Sequence, residues 1–227
     1  MFADTLPNTT DPAMESLQRL AELVFLLGSE EEGRSRVGGQ PRTFARTQIL
    51  LHAVTVFNRQ GLEETSVQDL LNAATISRRT FYKYFNSKTD VLESIYALSV
   101  QVMLTRFESE LPLAKSCNEL LTRLLHIFFD YQFSVGPIAG IMMEESRRLS
   151  SPLEPHRQRF LERLVQVLQH ECLRLEISVP NYWRLMGLLW ALEGAYMHLL
   201  KRPYPSADDV DACRRGMLLL WQQGIKA

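Results

Sequence analysis

The chain has 227 residues, 46% hydrophobic and 22% charged, with a formal net charge of −1; it is long and apolar enough to be a folded, soluble protein with a substantial core. Its three cysteines, Cys117, Cys172 and Cys213, are widely separated and form no CxxC pair, which excludes a disulfide framework and points to a reducing compartment. No apolar run reaches the length of a membrane span, and the start MFADTLPNTTDPAMES lacks the basic and apolar regions of a signal peptide, so a cytoplasmic location and no membrane partner are expected.

The first element in chain order is an extension over residues 1–40. Leu17, Leu20, Ala21, Val24 and Leu27 form an amphipathic stripe that stops at Gly28, so a helix is expected over 14–27. Residues 1–33 carry seven acidic side chains against Arg19. The stripe packs on the protein's own dimer, or else it docks a partner or shields a basic segment. The following GSEEEGRSRVGGQPR reads as a linker. It places Arg34, Arg36 and Arg42 just ahead of the next helix, either as a solvated tether or as an arm whose arginines enter a narrow DNA minor groove.

Residues 34–88 hold nine lysines and arginines against Glu63, Glu64 and Asp69, whereas residues 89–227 are nearly balanced at 15 against 16. A basic block in an otherwise neutral chain is an electrostatic footprint for DNA. Within it, SVQDLLNAATISRRTFYKYFNSK (66–88) reads as two short helices and a tight turn. Ser66 followed by Asp69 fits a capping box. Val67, Leu70, Leu71 and Ala74 turn one stripe inward. Ser77 caps the second helix, on which Phe81 and Phe85 anchor one face and leave Arg78, Arg79, Tyr82 and Lys83 pointing elsewhere, as candidate DNA readers.

The run Ser77-Arg78-Arg79-Thr80-Phe81-Tyr82-Lys83-Tyr84-Phe85-Asn86-Ser87-Lys88 resembles the signature of the TetR family of transcriptional regulators, Ser-x-x-Thr-hydrophobic-Tyr-x-aromatic-Phe-x-x-Lys. Ile49, Ala53 and Phe57 are similar to that family's first-helix core positions, and Gly61-Leu62 to its exit from that helix. The resemblance covers about residues 42–92. It implies that Tyr82, Lys88 and the Ser66 hydroxyl grip phosphates, while Arg79, Thr80, Lys83 and Tyr84 face base edges or thymine methyls. Two positions depart from the pattern: Thr75 stands where glycine is usual in the turn, and Leu71 where alanine is usual between the helices. A β-branched residue at positive φ is strained, so Thr75 either adopts another turn geometry or stores strain.

Beyond residue 88, Pro112, Pro137, Pro152, Pro155, Pro180, Pro203 and Pro205 divide the chain into apolar-periodic segments near 88–109, 117–134, 138–149, 155–176, 181–201 and 207–224, since proline rarely sits inside a helix. No strand pattern appears. The expected fold is all-α: a three-helix helix-turn-helix head over 41–88, a helical effector-binding and dimerisation domain of about six helices over 89–227, and the extra N-terminal helix.

Gly187, Ala191, Gly194 and Ala195 line one side of a helix with small residues, and Met217 and Trp221 stand on the next. Together they suggest a four-helix interface across a two-fold axis. A homodimer reading a palindromic operator of double-stranded DNA is the resulting expectation, with the heads about 34 Å apart. The resemblance also implies a pocket among the middle helices for a small apolar or amphipathic effector of unknown identity. Phe128, Tyr131, Gln132, Met142, Arg147, Trp190 and Glu193 are its candidate residues.

No nucleophile elbow, P-loop, dinucleotide fingerprint or H-E-x-x-H motif occurs, so no enzyme and no cofactor is expected. His170-Glu171-Cys172 is the densest group of potential metal ligands, but adjacent helical residues diverge and no second group stands at a matching spacing; no metal is expected. The reading is a dimeric repressor released by an effector. The alternatives are a DNA-binding regulator controlled by a protein partner, or a helical ligand-binding or enzymatic protein whose head no longer reads DNA.

Overall fold

Serine and asparagine side chains open five of the helices by accepting a backbone amide that has no helical partner. Ser66, Ser77, Ser87, Ser116 and Asn181 accept from the amides of Asp69, Thr80, Asp90, Glu119 and Arg184. The computed structural model describes residues 42–201 and 205–226. Among them lie α1 (Arg42–Gln60), α2 (Val67–Ala74), α3 (Arg78–Tyr82), α4 (Lys88–Glu110), α5 (Cys117–Ser134), α6 (Ile138–Glu145), α7 (Glu154–Arg174), α8 (Tyr182–Leu200) and α9 (Ala207–Lys226). No strand occurs among the described residues, and the chain is all-α. No described helix is long and apolar enough to cross a membrane. The helix expected over 14–27, and the extension over 1–40, lie outside the described residues.

The prolines mark the breaks as expected: Pro112 sits in a 3-10 turn after α4, Pro137 precedes α6 and Pro155 lies in the first turn of α7. One limit differs. Helix α6 stops at Glu145 rather than 149, because the amides of Arg147 and Arg148 bond to Glu144 and Glu145 three residues back, at 3.2 and 3.1 Å, and tighten the chain into turns.

In the head, Ile49, Leu50, Ala53 and Phe57 of α1 pack with Leu70 and Leu71 of α2 and with Phe81 and Phe85, all buried. Leu71 is thus absorbed into this core. Val91, Leu92 and Ile95 continue the core into α4. Polar contacts tie the head to the rest. The Asn58 side-chain oxygen accepts the Ile138 amide at 2.6 Å, capping α6, and the Arg148 guanidinium lies 3.7 Å from Glu63.

Candidate nucleic-acid interface and effector cavity

The turn between α2 and α3 is closed by the Ile76 amide returning to the Leu71 carbonyl (3.1 Å) and the Thr75 amide to Asn72 (3.3 Å). This is the bond pair that ends helices on a left-handed residue. Thr75 occupies that position, with φ 54° and ψ 45°. The turn therefore keeps the shape a glycine would give it and stores strain in a β-branched residue. Thr75→Gly is expected to raise stability by about 1 kcal/mol, strain relief exceeding the extra unfolded-state entropy. A urea midpoint that falls instead contradicts the strain.

The capping box at α2 is complete. The Ser66 hydroxyl donates to Asp69 Oδ2 (2.7 Å) and accepts the Asp69 amide (3.2 Å), while the Ser66 amide donates to the same carboxylate (2.8 Å). These Ser66 bonds hold the Asp69 carboxyl below the usual carboxylate range. They also correct one expectation: the single Ser66 proton is committed to Asp69, so the hydroxyl has none to offer a phosphate in this geometry.

Helix α3 is shorter than the sequence suggested. It ends at Tyr82, and the amides of Tyr84 and Phe85 fold back to the Phe81 carbonyl. Buried Phe81 and Phe85 hold this turn down, their ring centroids 5.9 Å apart. Arg78, Arg79, Tyr82 and Lys83 are solvent-exposed, with Arg78 3.4 Å from the Gln68 side chain of α2. Thr80 is half-buried, its hydroxyl 2.9 Å from that of Ser77. Tyr84 is half-buried with its ring beneath the Lys83 ammonium, 5.4 Å away.

Lys88 takes a different place from its expected one. It opens α4, and its ammonium donates to the Leu62 and Glu63 carbonyls at 2.8 and 2.9 Å. Two of its three protons thus fasten the start of α4 to the exit from α1, a structural rather than a phosphate-directed arrangement. Arg42 begins α1 instead of lying on a tether. Arg34 and Arg36 lie outside the described residues. Arg46, which the sequence reading passed over, is exposed on α1, 5.6 Å from the Phe85 ring centroid and 3.3 Å from the Ser94 hydroxyl. Its spacing from the signature gave no hint of this.

Among the middle helices lies a small cavity of about 20 Å³, room for roughly one water. Of the candidate residues, Phe128, Gln132, Met142 and Glu193 line it. Three candidates do not. Arg147 is exposed in the turn after α6 and Trp190 faces solvent on α8. Buried Tyr131 sits one layer back, its hydroxyl 2.7 Å from that of Ser99, which does line the cavity. Tyr96, Val100, Met103, Ala139, Met143 and Phe160 complete the wall. In the sequence Tyr96, Met103 and Phe160 look like ordinary core residues. Burial pushes the Tyr96 and Tyr131 hydroxyls up to about 12, so both remain neutral at physiological pH.

The polar floor of the cavity is a buried ion pair. Arg157 of α7 donates from Nε to Glu193 Oε1 at 3.0 Å and from its terminal nitrogen to Oε2. The two side chains retain 13% and 7% of their exposure. Near the far end of α7, Glu171 is held by Arg174 (2.6 Å) and His170 (3.1 Å), so that acidic side chain is committed to an ion-pair network.

The expected dimer residues divide. Gly187 is exposed, Gly194 is half-buried, and a Cβ added to either meets nothing within 4 Å. Trp183 (71% exposed) and Trp190 (43%) share their face at helical spacing, and Leu219 and Leu220 of α9 are exposed as well. Ala191 and Ala195 are half-buried. Trp221, by contrast, is fully buried, and Met217 packs against the same core. Trp221 fills its own subunit because Leu219 and Leu220 take the outward positions of α9.

A capped helix–turn–helix with a solvated cationic strip, set on an all-α body, defines a helix-turn-helix regulator. A family model for bacterial regulatory proteins of the TetR family matches residues 49–95. The HTH-type transcriptional repressor KstR2 of Mycolicibacterium smegmatis is 30% identical over 105 residues, 46% of this chain and 51% of that protein. The match spans between 51% and 64% of the length of the curated relatives, KstR2 among them. A regulator from Saccharomonospora viridis, solved with choline, aligns with a TM-score of 0.64 at 18% identity over 81% of this chain and 98% of its own. FadR from Bacillus subtilis, solved with stearoyl-CoA, aligns at 0.61 and 20% identity over 78% and 98%. These relatives are transcriptional regulators rather than enzymes. Residues 49–95 thus carry the helix-turn-helix of the TetR family of bacterial regulatory proteins.

Proposed function

We propose that this regulator is a cytoplasmic homodimer that occupies a palindromic operator and represses until a small apolar or amphipathic molecule enters the cavity. The observation that carries the DNA-reading part is the acid-free strip Arg78, Arg79, Tyr82 and Lys83, exposed on α3 while Ser77, Phe81 and Phe85 fix its backbone. In this reading α3 enters the major groove; Arg79, Lys83, Thr80 and Tyr84 address bases, and Tyr82 addresses a phosphate. Residues 41–88 act as the reading head and 89–227 as the effector and dimerisation domain.

The dimer is supported by the line of Trp183, Gly187, Trp190 and Gly194 along α8 and by the exposed Leu219 and Leu220 of α9, apolar surface that a partner covers at little cost. Trp190→Asp places a charge there and is expected to halve the mass in sedimentation equilibrium at micromolar concentration. A variant that stays dimeric moves the interface elsewhere.

Effector control is supported by two elements that run from head to cavity. Helix α4 is fastened to the head by Lys88 and lines the cavity with Tyr96, Ser99 and Met103; helix α6 is capped by Asn58 and lines it with Met142 and Met143. A molecule that fits only one spacing of these helices shifts the two-head geometry toward that spacing. The smallness of the cavity favours a second reading, an effector-independent regulator governed by a protein partner. Ligand-induced loss of operator binding separates the two: release supports effector control, and retention at saturating ligand supports the partner.

A further inference from the structure

The Gln132 side chain is 5% exposed and lines the cavity, and no group among the described residues hydrogen-bonds its carboxamide. Buried amides are nearly always paired, because an unpaired one forfeits its bonds to water. A donor–acceptor group left open toward an internal space is a site for a ligand's polar atom. Two other polar groups on this wall are occupied: Ser99 with Tyr131, and Glu193 with Arg157. The Tyr96 hydroxyl is the remaining polar side chain there.

The charge state of the wall restricts what Gln132 can receive. Among the described residues, Glu193 is the only charged one lining the cavity. An anion finds no cationic side chain among the described residues lining the cavity, and Arg157 behind it is committed to Glu193. A cation finds that carboxylate already neutralised by Arg157 and gains too little to offset its own desolvation. The remaining wall, Met103, Phe128, Met142, Met143 and Phe160, is apolar and rich in unbranched, adaptable methionine.

Access also lies on one side. A surface groove of about 380 Å³ between α4 and α7 is lined in part by Val100 and Phe160, the same two residues that wall the cavity. Val100 and Phe160 thus stand between the groove and the cavity.

We infer that the cavity takes an uncharged, largely apolar ligand carrying one hydroxyl or carboxamide, whose polar end pairs with Gln132 and whose apolar body enters past Phe160. This rests on the effector-controlled reading above and specifies its ligand class. Gln132 is then the residue that selects the head group, and Phe160 the gate.

The test is calorimetric titration of the full chain with four eight-carbon compounds: 1-octanol, octanamide, octanoate and octyltrimethylammonium. Octanol and octanamide are expected to bind saturably at one per subunit, with the two ions at least about tenfold weaker. Gln132→Leu is expected to weaken octanamide about tenfold while leaving the unliganded melting temperature equal or higher, since it removes an unpaired polar group. Phe160→Ala is expected to preserve the head-group order and speed association. Equal binding of octanoate, or unchanged octanamide affinity in Gln132→Leu, overturns the inference. So does absence of binding by all four compounds, which leaves the cavity a site for a single water. The same titration on the operator-bound protein separates the two readings. Binding without release of DNA sinks effector control and spares the ligand class; specific DNA binding with no ligand binding does the reverse.

Discussion

Glu193→Ala is expected to lower the unfolding free energy by about 3–5 kcal/mol. Its carboxylate meets Arg157 through two hydrogen bonds in a region where both side chains are nearly closed to water. Removing the acid leaves a guanidinium buried without its counterion, and arginine does not neutralise itself by losing a proton. Replacing both partners, Glu193→Leu with Arg157→Met, is expected to recover most of the loss, because two apolar side chains of similar volume demand no compensation there. Urea unfolding of the single and double variants checks this. A single variant within about 1 kcal/mol of the parent contradicts a dry pair.

Arg79→Ala is expected to weaken operator binding by about 1–3 kcal/mol and to relax preference at a particular base pair, with little change in folding stability. The side chain is exposed on a helix whose backbone is fixed from the opposite face by Phe81, so truncation removes a contact without opening a cavity. A loss spread evenly over specific and unrelated DNA reassigns Arg79 to a phosphate. Lys88→Ala behaves differently in this account. Its ammonium is tied to the Leu62 and Glu63 carbonyls, so its removal lowers stability at the α1–α4 junction.

Local chemistry made much of this fold readable. The Ser66–Asp69 box, the Ser77 cap and the Phe81–Phe85 pair depend on residues three or four apart, and each lies where the sequence placed it. Contacts between distant residues were not readable. Arg157 and Glu193 are 36 positions apart, and each looks like a solvated charge on an amphipathic helix. Lys88 reaches back 25 and 26 residues, so the signature position alone did not reveal its carbonyl partners.

Trp221 departed from its expected place for another reason. Helical periodicity shows that α9 has an apolar face, yet it does not say whether Trp221 or Leu219 and Leu220 turn toward the subunit's own core. At Thr75 the usual glycine signal was missing, and the left-handed turn formed regardless because the Ile76 and Thr75 amides close it.

Selection of binding sites from random duplex DNA with the purified protein, followed by sequencing of the bound pool, tests the central claim most directly. A palindromic motif is expected, with half-site centres about one helical turn apart or a multiple of it, and with enrichment lost for Arg79→Ala at particular bases. No enrichment at low salt, where phosphate contacts alone hold DNA, contradicts the account and means that the head does not read sequence.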